Sequence, residues 1–412
     1  MKHPLTFIPA ILLLGACHLQ NNKNLSPEQV SRFHTKIITI DSHTDTPLEL
    51  LNTGFNFGER HDPVTTGSKI DLPRLDQGGL DGVFFGVFVG QGTRDAEADG
   101  TATDKAYQIL DSIDALVNRY PDRLELARRH DDIYQIVKEG KHAVFIGMEN
   151  GYPVEGNISL IDSFYNRGVR YITLCHTKNN DICDSSTDDK GPEFHGLSDL
   201  GSEVVRRMND LGIMIDISHA SDETFYDVIN LSKAPVIASH SCARALCDNP
   251  RNLDDDMLRK LADNGGVIQM CILSDYVQTP EKNPQRDSAK QAVVAKHGDY
   301  YTLDDAGKQA FLEDWHKVDV DFPPKLASVK QVVDHIDHIV NVAGIDHVGI
   351  GTDFDGGGGV SDCYDVSQLP NITTELLKRG YSGKDIRKIW GGNLLRVMHL
   401  VEKTAQKKAV SP

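Results

Sequence analysis

Eight short apolar runs recur along the chain, each nearly continuous, with helix-like stretches between them. They are Ile37 to Ile40, Val83 to Val89, Ala143 to Met148, Arg170 to Leu174, Ile213 to Ile217, Val236 to Ala238, Val267 to Leu273 and Val348 to Ile350. A strand with one wet face alternates apolar and polar residues, whereas a continuous run is buried on both faces, the state of a parallel strand covered by helices. The stretches Ala102 to Tyr120, Leu160 to Arg167, Leu200 to Leu211, Asp222 to Leu231, Asp254 to Asn264 and Ser328 to Ala343 carry helical patterns. This alternation predicts an α/β chain with a parallel sheet, and eight such units fit a closed (β/α)8 TIM barrel.

The polar residues argue for closure. The first run leads into Asp41, His43 and Asp45, the third into Glu149, the fourth into His176, the fifth into His219, the sixth into His240 and the eighth into Asp353 and Asp355. A barrel brings the C-termini of its strands together on one face, where distant side chains meet around one ligand. An open sheet would spread the same residues along a line. On an extended segment His43 and Asp45 share one side, about 6.5 to 7 Å apart along the chain. Imidazole with carboxylate suits Zn2+. A lone His at a strand end is ordinarily just hydrogen-bonded; the weight comes from repetition of the pattern at Glu149, His219 and His240. Five ligands exceed the three that one catalytic zinc takes while leaving a position open. Two ions bridged by Glu149 use all five. A metal pair about 3.5 to 4 Å apart makes hydroxide from a shared water and polarises a carbonyl oxygen. The chemistry predicted is hydrolysis.

The stretch Ser274 to Pro324, between the seventh and eighth runs, is polar and has one helical segment, Asp304 to Lys317. Its position places it on the same face as the ligands, as an insertion that serves as a lid, as an oligomer contact or as a plain surface excursion. With 60 acidic against 43 basic residues and a net charge of -17 over 412 residues, nucleic acid and anionic membrane surfaces are poor partners. The start, MKHPLTFIPAILLLGAC, has a basic end and an apolar segment too short to span a bilayer. LLGAC resembles the bacterial lipobox, which makes Cys17 a lipidation site; an ordinary secretory signal is the alternative. The chain then divides into a signal over 1–16, a tether over 17–26 and a barrel domain over 27–405, exported and facing the periplasm or the cell surface. Ser26, followed by Pro-Glu-Gln, can open the first helix. Six cysteines remain beyond Cys17, without a CxxC pair, and free buried thiols are expected.

The segments IDSHTDTP, IGMENG, TLCHT, IDISHAS, SHSCAR, NPRNL, GTDFDG and NLLRV, in this order from Ile37 to Val401, resemble the membrane (renal-type) dipeptidase family of metallopeptidases. The resemblance implies a barrel with two zinc ions, one held by His43 and Asp45, the other by His219 and His240, with Glu149 bridging. It further implies that His176 contacts the substrate near the reacting carbonyl, that Arg251 binds the dipeptide's C-terminal carboxylate and that Asp353 handles the proton passed to the leaving amine. A guanidinium fork suits a carboxylate. Of the two acids in GTDFDG the family motif selects Asp353. Asp41 is expected beside the ligands as an orienting partner. The implied substrates are dipeptides, with a D-residue tolerated at the C-terminal position; a homodimer is kept as an option. After His176 the chain reads TKNNDICDSSTDD where animal members carry a Trp-containing segment, so side-chain preference does not transfer.

Two other readings compete. Barrel amidohydrolases acting on cyclic amides, phosphotriesters or lactones commonly use His-x-His after the first strand and a carbamylated Lys; here the third residue is Asp45 and the fourth run ends in His176. A non-catalytic peptide-binding lipoprotein would not require the full ligand set together with Asp353.

Overall fold

Ser26 opens the first helix as the sequence suggests, with a reciprocal cap between its side chain and Gln29 and with Pro27 in the first turn. The computed structural model describes residues 26–52, 54–63, 68–298, 300, 303 and 305–410; the signal segment and Cys17 lie outside them. The strands are β1 (Ile40–Thr44), β2 (Gly82–Phe88), β3 (Leu124–Leu126), β4 (His142–Glu149), β5 (Val169–Thr173), β6 (Met214–Asp216), β7 (Ile237–Ser241), β8 (Val267–Met270) and β9 (Val348–Ile350). Eight of them pair in parallel in the order β1-β2-β4-β5-β6-β7-β8-β9. The short β3, which the sequence did not announce, pairs with β4 off this path.

Closure between the first and last strands is made just beyond their regular parts. Asp353 N–H donates to the His43 carbonyl at 3.0 Å and Asp45 N–H to the Phe354 carbonyl at 2.9 Å. Asp41 completes the seam: its carboxylate accepts from Thr352 N–H at 2.8 Å, from the Thr352 hydroxyl at 2.5 Å and from His43 N–H at 3.3 Å. Asp41 therefore braces Thr352 and the backbone of His43, reaching that candidate ligand through its N–H. The eight predicted runs are the eight barrel strands, with shifted ends. The first starts at Ile40 and runs to Thr44, so His43 lies within the strand. The third runs through Glu149.

Inside the barrel, Phe84 stacks on Phe145 with centroids 4.7 Å apart, and Tyr171 lies 5.4 Å from Phe84. Tyr171 fits because residue 147 is glycine; a Cβ there would stand 2.0 Å from the Tyr171 Cζ. Beneath this layer Ile40, Met214, Ile237 and Val267 form a floor with Leu394, Leu395, Val397 and Met398 of the last helix, Asn393–Val410. Each large side chain so buried contributes about 1.5–3 kcal/mol of transfer free energy. The larger apolar cluster lies outside the strands, where helices such as Ala96–Arg119 and Val329–Ala343 cover them.

The insertion contains more helix than the sequence suggests: Ser274–Val277, Pro284–His297 and Asp305–Asp321. The two longer helices share a small cluster of their own around Val293, Phe311 and Val318. The six cysteines among the described residues are all buried and free.

Candidate active site

The strand ends deliver their polar residues through unusual backbone. Five described non-glycine residues adopt positive φ; apart from His195 they are Asn150, His219, Asp353 and Asp355, at 77°, 69°, 60° and 66°, each just past a barrel strand. Such conformations cost energy and persist where the surroundings over-determine them. Asp45 also departs from the expectation. It is not in extended alternation with His43 but stands just before the 3-10 helix Thr46–Leu51, with φ -93° and ψ 15° and no side-chain bond to that helix. That turn swings its carboxylate back, so Asp45 Oδ1 comes to 3.7 Å from His43 Nε2.

Glu149 is the hub and faces two ways. Its Oε1 lies 3.0 Å from His219 Nε2, 3.4 Å from His240 Nε2 and 3.8 Å from His176 Nε2. Its Oε2 lies 3.5 Å from His43 Nε2. Asp353 Oδ1 is 3.9 Å from the same His43 nitrogen. His219 Nε2 and His240 Nε2 face each other at 2.9 Å. The five ligand candidates named from the sequence are thus brought together from four strand ends, and His176 and Asp353 join them from two more.

The residues present fit metal ions. His43 Nε2 and Asp45 Oδ1 are buried with no hydrogen-bond partner, an arrangement that buried polar groups normally avoid and that a cation satisfies. Burial, helped by the Arg251 charge at His219 and by His43 at His240, holds both well below the usual imidazole range, so both present neutral nitrogen. Burial opposes charge on His43 too, yet Glu149, Asp45 and Asp353 outweigh it and raise His43 to about 10. Positive charge is favoured at this spot. Burial alone would raise Glu149; His43 and His176 instead pull it well below the carboxylate range. Asp45 is pushed well above that range by burial and by Glu149.

Behind the candidate ligands stand residues the sequence did not single out. The Tyr171 hydroxyl is 2.7 Å from His43 Nδ1. His240 Nδ1 is 2.8 Å from the Ser239 hydroxyl, which donates to Asp216 Oδ2 at 2.6 Å. Asp216 Oδ2 also accepts from Thr173, and its Oδ1 accepts from the amides of Ser218 and Ser239. These contacts fix the rings so that each Nε2 points inward. A signal existed: Asp216 sits in the apolar run IMIDI, and a carboxylate there requires several donors.

His176, after β5, packs edge-on against Phe88 with centroids 4.7 Å apart, and its side chain keeps 14% exposure at the mouth. Burial lowers it to about 4, so it is neutral at neutral pH. Its carbonyl accepts from Ser185, within the divergent segment after His176. Arg251 is buried, with Nη2 donating to the His240 carbonyl at 3.2 Å and Nε unpartnered. It lies 5.2 Å from the ring of Tyr276, in the first helix of the insertion. Asp353 is raised to about 7 by burial, opposed by His43. Asp355 does not join this group: it accepts from the Thr46 hydroxyl and from Lys69 N–H and anchors the loop.

Residues 27–412 match the family described as membrane dipeptidase, peptidase family M19. The chain is 32% identical to dipeptidase tcpJ of Claviceps purpurea over 373 residues, which cover 89% of this chain and 77% of that one. It is similar in structure to the probable dipeptidase PvdM of Pseudomonas aeruginosa, with a TM-score of 0.79 and 32% identity, covering 92% of this chain and 100% of the other. A Rhodobacter sphaeroides metallo peptidase bound to a phosphinate mimic of L-Ala-D-Ala shares the fold at 21% identity, with a TM-score of 0.70 and coverage of 89% and 99%.

Proposed function

The chain belongs to the membrane dipeptidase family of metal-dependent peptide-bond hydrolases, and from that premise we propose a two-zinc dipeptidase whose reactive centre is the Glu149 cluster. The observation that supports two ions is the divided carboxylate: Glu149 Oε1 turns to His219 and His240 while Oε2 turns to His43. His43 and Asp45 would hold one ion, and His219 and His240 the other. Bound there, the ions supply an activated water as nucleophile and a Lewis acid for the carbonyl oxygen.

The remaining work falls to the protein. Arg251, with its buried Nε donor unused, receives the C-terminal carboxylate and so sets the length of peptide that fits. His176, neutral at the mouth, donates a hydrogen bond to the carbonyl oxygen as charge develops on it. Asp353, poised near neutrality, takes the proton of the attacking water and delivers it to the departing nitrogen. The clamp limits the length of the peptide, whereas a C-terminal D-residue changes the side chain's direction and leaves the clamp intact. Tyr276 brings the start of the insertion over Arg251, and the insertion is assigned the role of a roof on the substrate. We further propose, from the resemblance of LLGAC to the bacterial lipobox, that the protein works outside the cytoplasm, anchored through lipid on Cys17.

The test is turnover of L-L and L-D dipeptides and tripeptides with and without chelator, together with zinc analysis. Dipeptides of both kinds are expected to be cleaved, tripeptides hardly at all, and chelation to abolish activity. Chelator-insensitive cleavage, or tripeptides cut as readily as dipeptides, would overturn the proposal. Arg251→Ala should raise KM by roughly tenfold or more, the worth of a charged hydrogen bond; an unchanged KM removes Arg251 from carboxylate recognition.

A further inference from the structure

At the opposite end of the barrel from Glu149 stands a second group of metal-ligating side chains. His130 lies in the loop after β3; His399 and Glu402 lie three residues apart on the last helix, Asn393–Val410. Their end of the molecule is fixed by neighbours: Arg170, the second residue of β5, donates to the Arg128 carbonyl, and Arg396 of the helix donates to the Gly265 carbonyl just before β8. Both contacts are at strand beginnings, while the catalytic ligands are at strand ends.

The geometry is compact. His130 Nδ1 is 2.7 Å from Glu402 Oε2, and the His130 and His399 rings have centroids 4.4 Å apart. One ligand atom from each of the three residues lies within 4.8 Å of the others. A spacing of three places His399 and Glu402 on one helix face. Glu402 Oε1 accepts from His130 N–H at 2.8 Å, which orients the carboxylate so that Oε2 faces the imidazoles. His399 is exposed and the other two are half-buried, so solvent can complete a coordination shell.

We propose that His130, His399 and Glu402 form a separate binding site for a divalent cation of the zinc class. Two imidazoles and one carboxylate are the donor set such ions take, with water in the remaining position. The ion ties the last helix, which supplies Leu394, Val397 and Met398 to the barrel floor, to the loop after β3. Because the loop and helix are joined only in the folded chain, binding stabilises the fold in proportion to free metal.

The test uses the protein with its catalytic metal in place. Wild type and His399→Ala are freed of loosely held metal, titrated with Zn2+ by calorimetry, and melted with and without added Zn2+. Wild type should take up one more equivalent than His399→Ala and show a zinc-dependent rise in Tm that the variant lacks. Both proteins should have the same dipeptidase turnover and, without added zinc, the same Tm. Glu402→Gln, which keeps the size of the side chain, should weaken the extra equivalent at least tenfold. Equal uptake by wild type and His399→Ala, or no zinc-dependent Tm difference between them, would reduce the group to a His130–Glu402 ion pair and overturn the proposal. The comparison is between variants, so it does not depend on how many ions the catalytic pocket holds.

Discussion

The two ends of the barrel are built on opposite principles. At the strand ends, Glu149, His43, Asp45, His219, His240 and Asp353 crowd buried charge into one pocket, on backbone that at His219 and Asp353 is left-handed. At the strand beginnings, Ile40, Met214, Ile237 and Val267 form an apolar cluster with the last helix. One end concentrates unfavourable terms that a cation relieves; the other supplies the apolar burial that keeps the fold intact. The difference teaches that changes at the mouth should move chemistry at nearly constant stability, and changes at the floor should do the reverse.

The sharpest challenge to that division is Asp353→Asn. Turnover should fall about 10^2 to 10^4-fold, the usual contribution of a positioned acid or base, while zinc content and Tm stay near wild type. Loss of metal in this variant would make Asp353 a ligand and blur the separation of roles at the mouth. Next in size is Leu394→Ala at the floor, expected to cost about 2–5 kcal/mol in a denaturant titration, with kcat and KM unchanged wherever the protein is folded. A kinetic defect there would show that the floor reaches the chemistry, through Tyr171 and His43.

The smallest effect is a pH dependence confined to the floor end. His34 is buried between the Gly78 carbonyl and the Thr373 hydroxyl, and burial lowers it to about 4. Between that value and its ordinary 6.5 the unfolded chain takes a proton that the folded chain refuses. Stability from neutral His34 is therefore complete above about pH 6.5 and is lost as the pH falls towards 4, by at most about 3 kcal/mol. Subtracting the stability profile of His34→Gln from that of wild type should isolate this slope. A flat difference would mean that His34 tolerates its proton in place.

Much of this contrast is legible in the sequence. The barrel strands are apolar on both faces and so stand out as runs, and each ligand candidate follows such a run within a few positions, whereas Arg251 lies well beyond one. What escaped was of three kinds. β3 is three residues long and pairs along one edge of β4, too little to leave a pattern. Tyr171 reads as one more strand residue in RYITL, because nothing local marks its hydroxyl as the partner of His43. The turn at Asp45 and the seam made by Asp41 depend on Phe354 and Thr352, some 310 residues away, and no local rule for extended chain anticipates them.

Gly147 sets a limit on how this protein can be altered. Its missing side chain makes room for the Tyr171 ring, and that ring lies against Phe84, which stacks on Phe145. The reaction chamber consequently has a rigid base that cannot be deepened to accommodate bulkier substrates without disturbing His43. Diversity of substrate must come from the rim, where Tyr276 and the segment after His176 can change length and character freely. An engineer seeking new selectivity would leave the eight strands alone and rewrite the loops that follow β5 and β8.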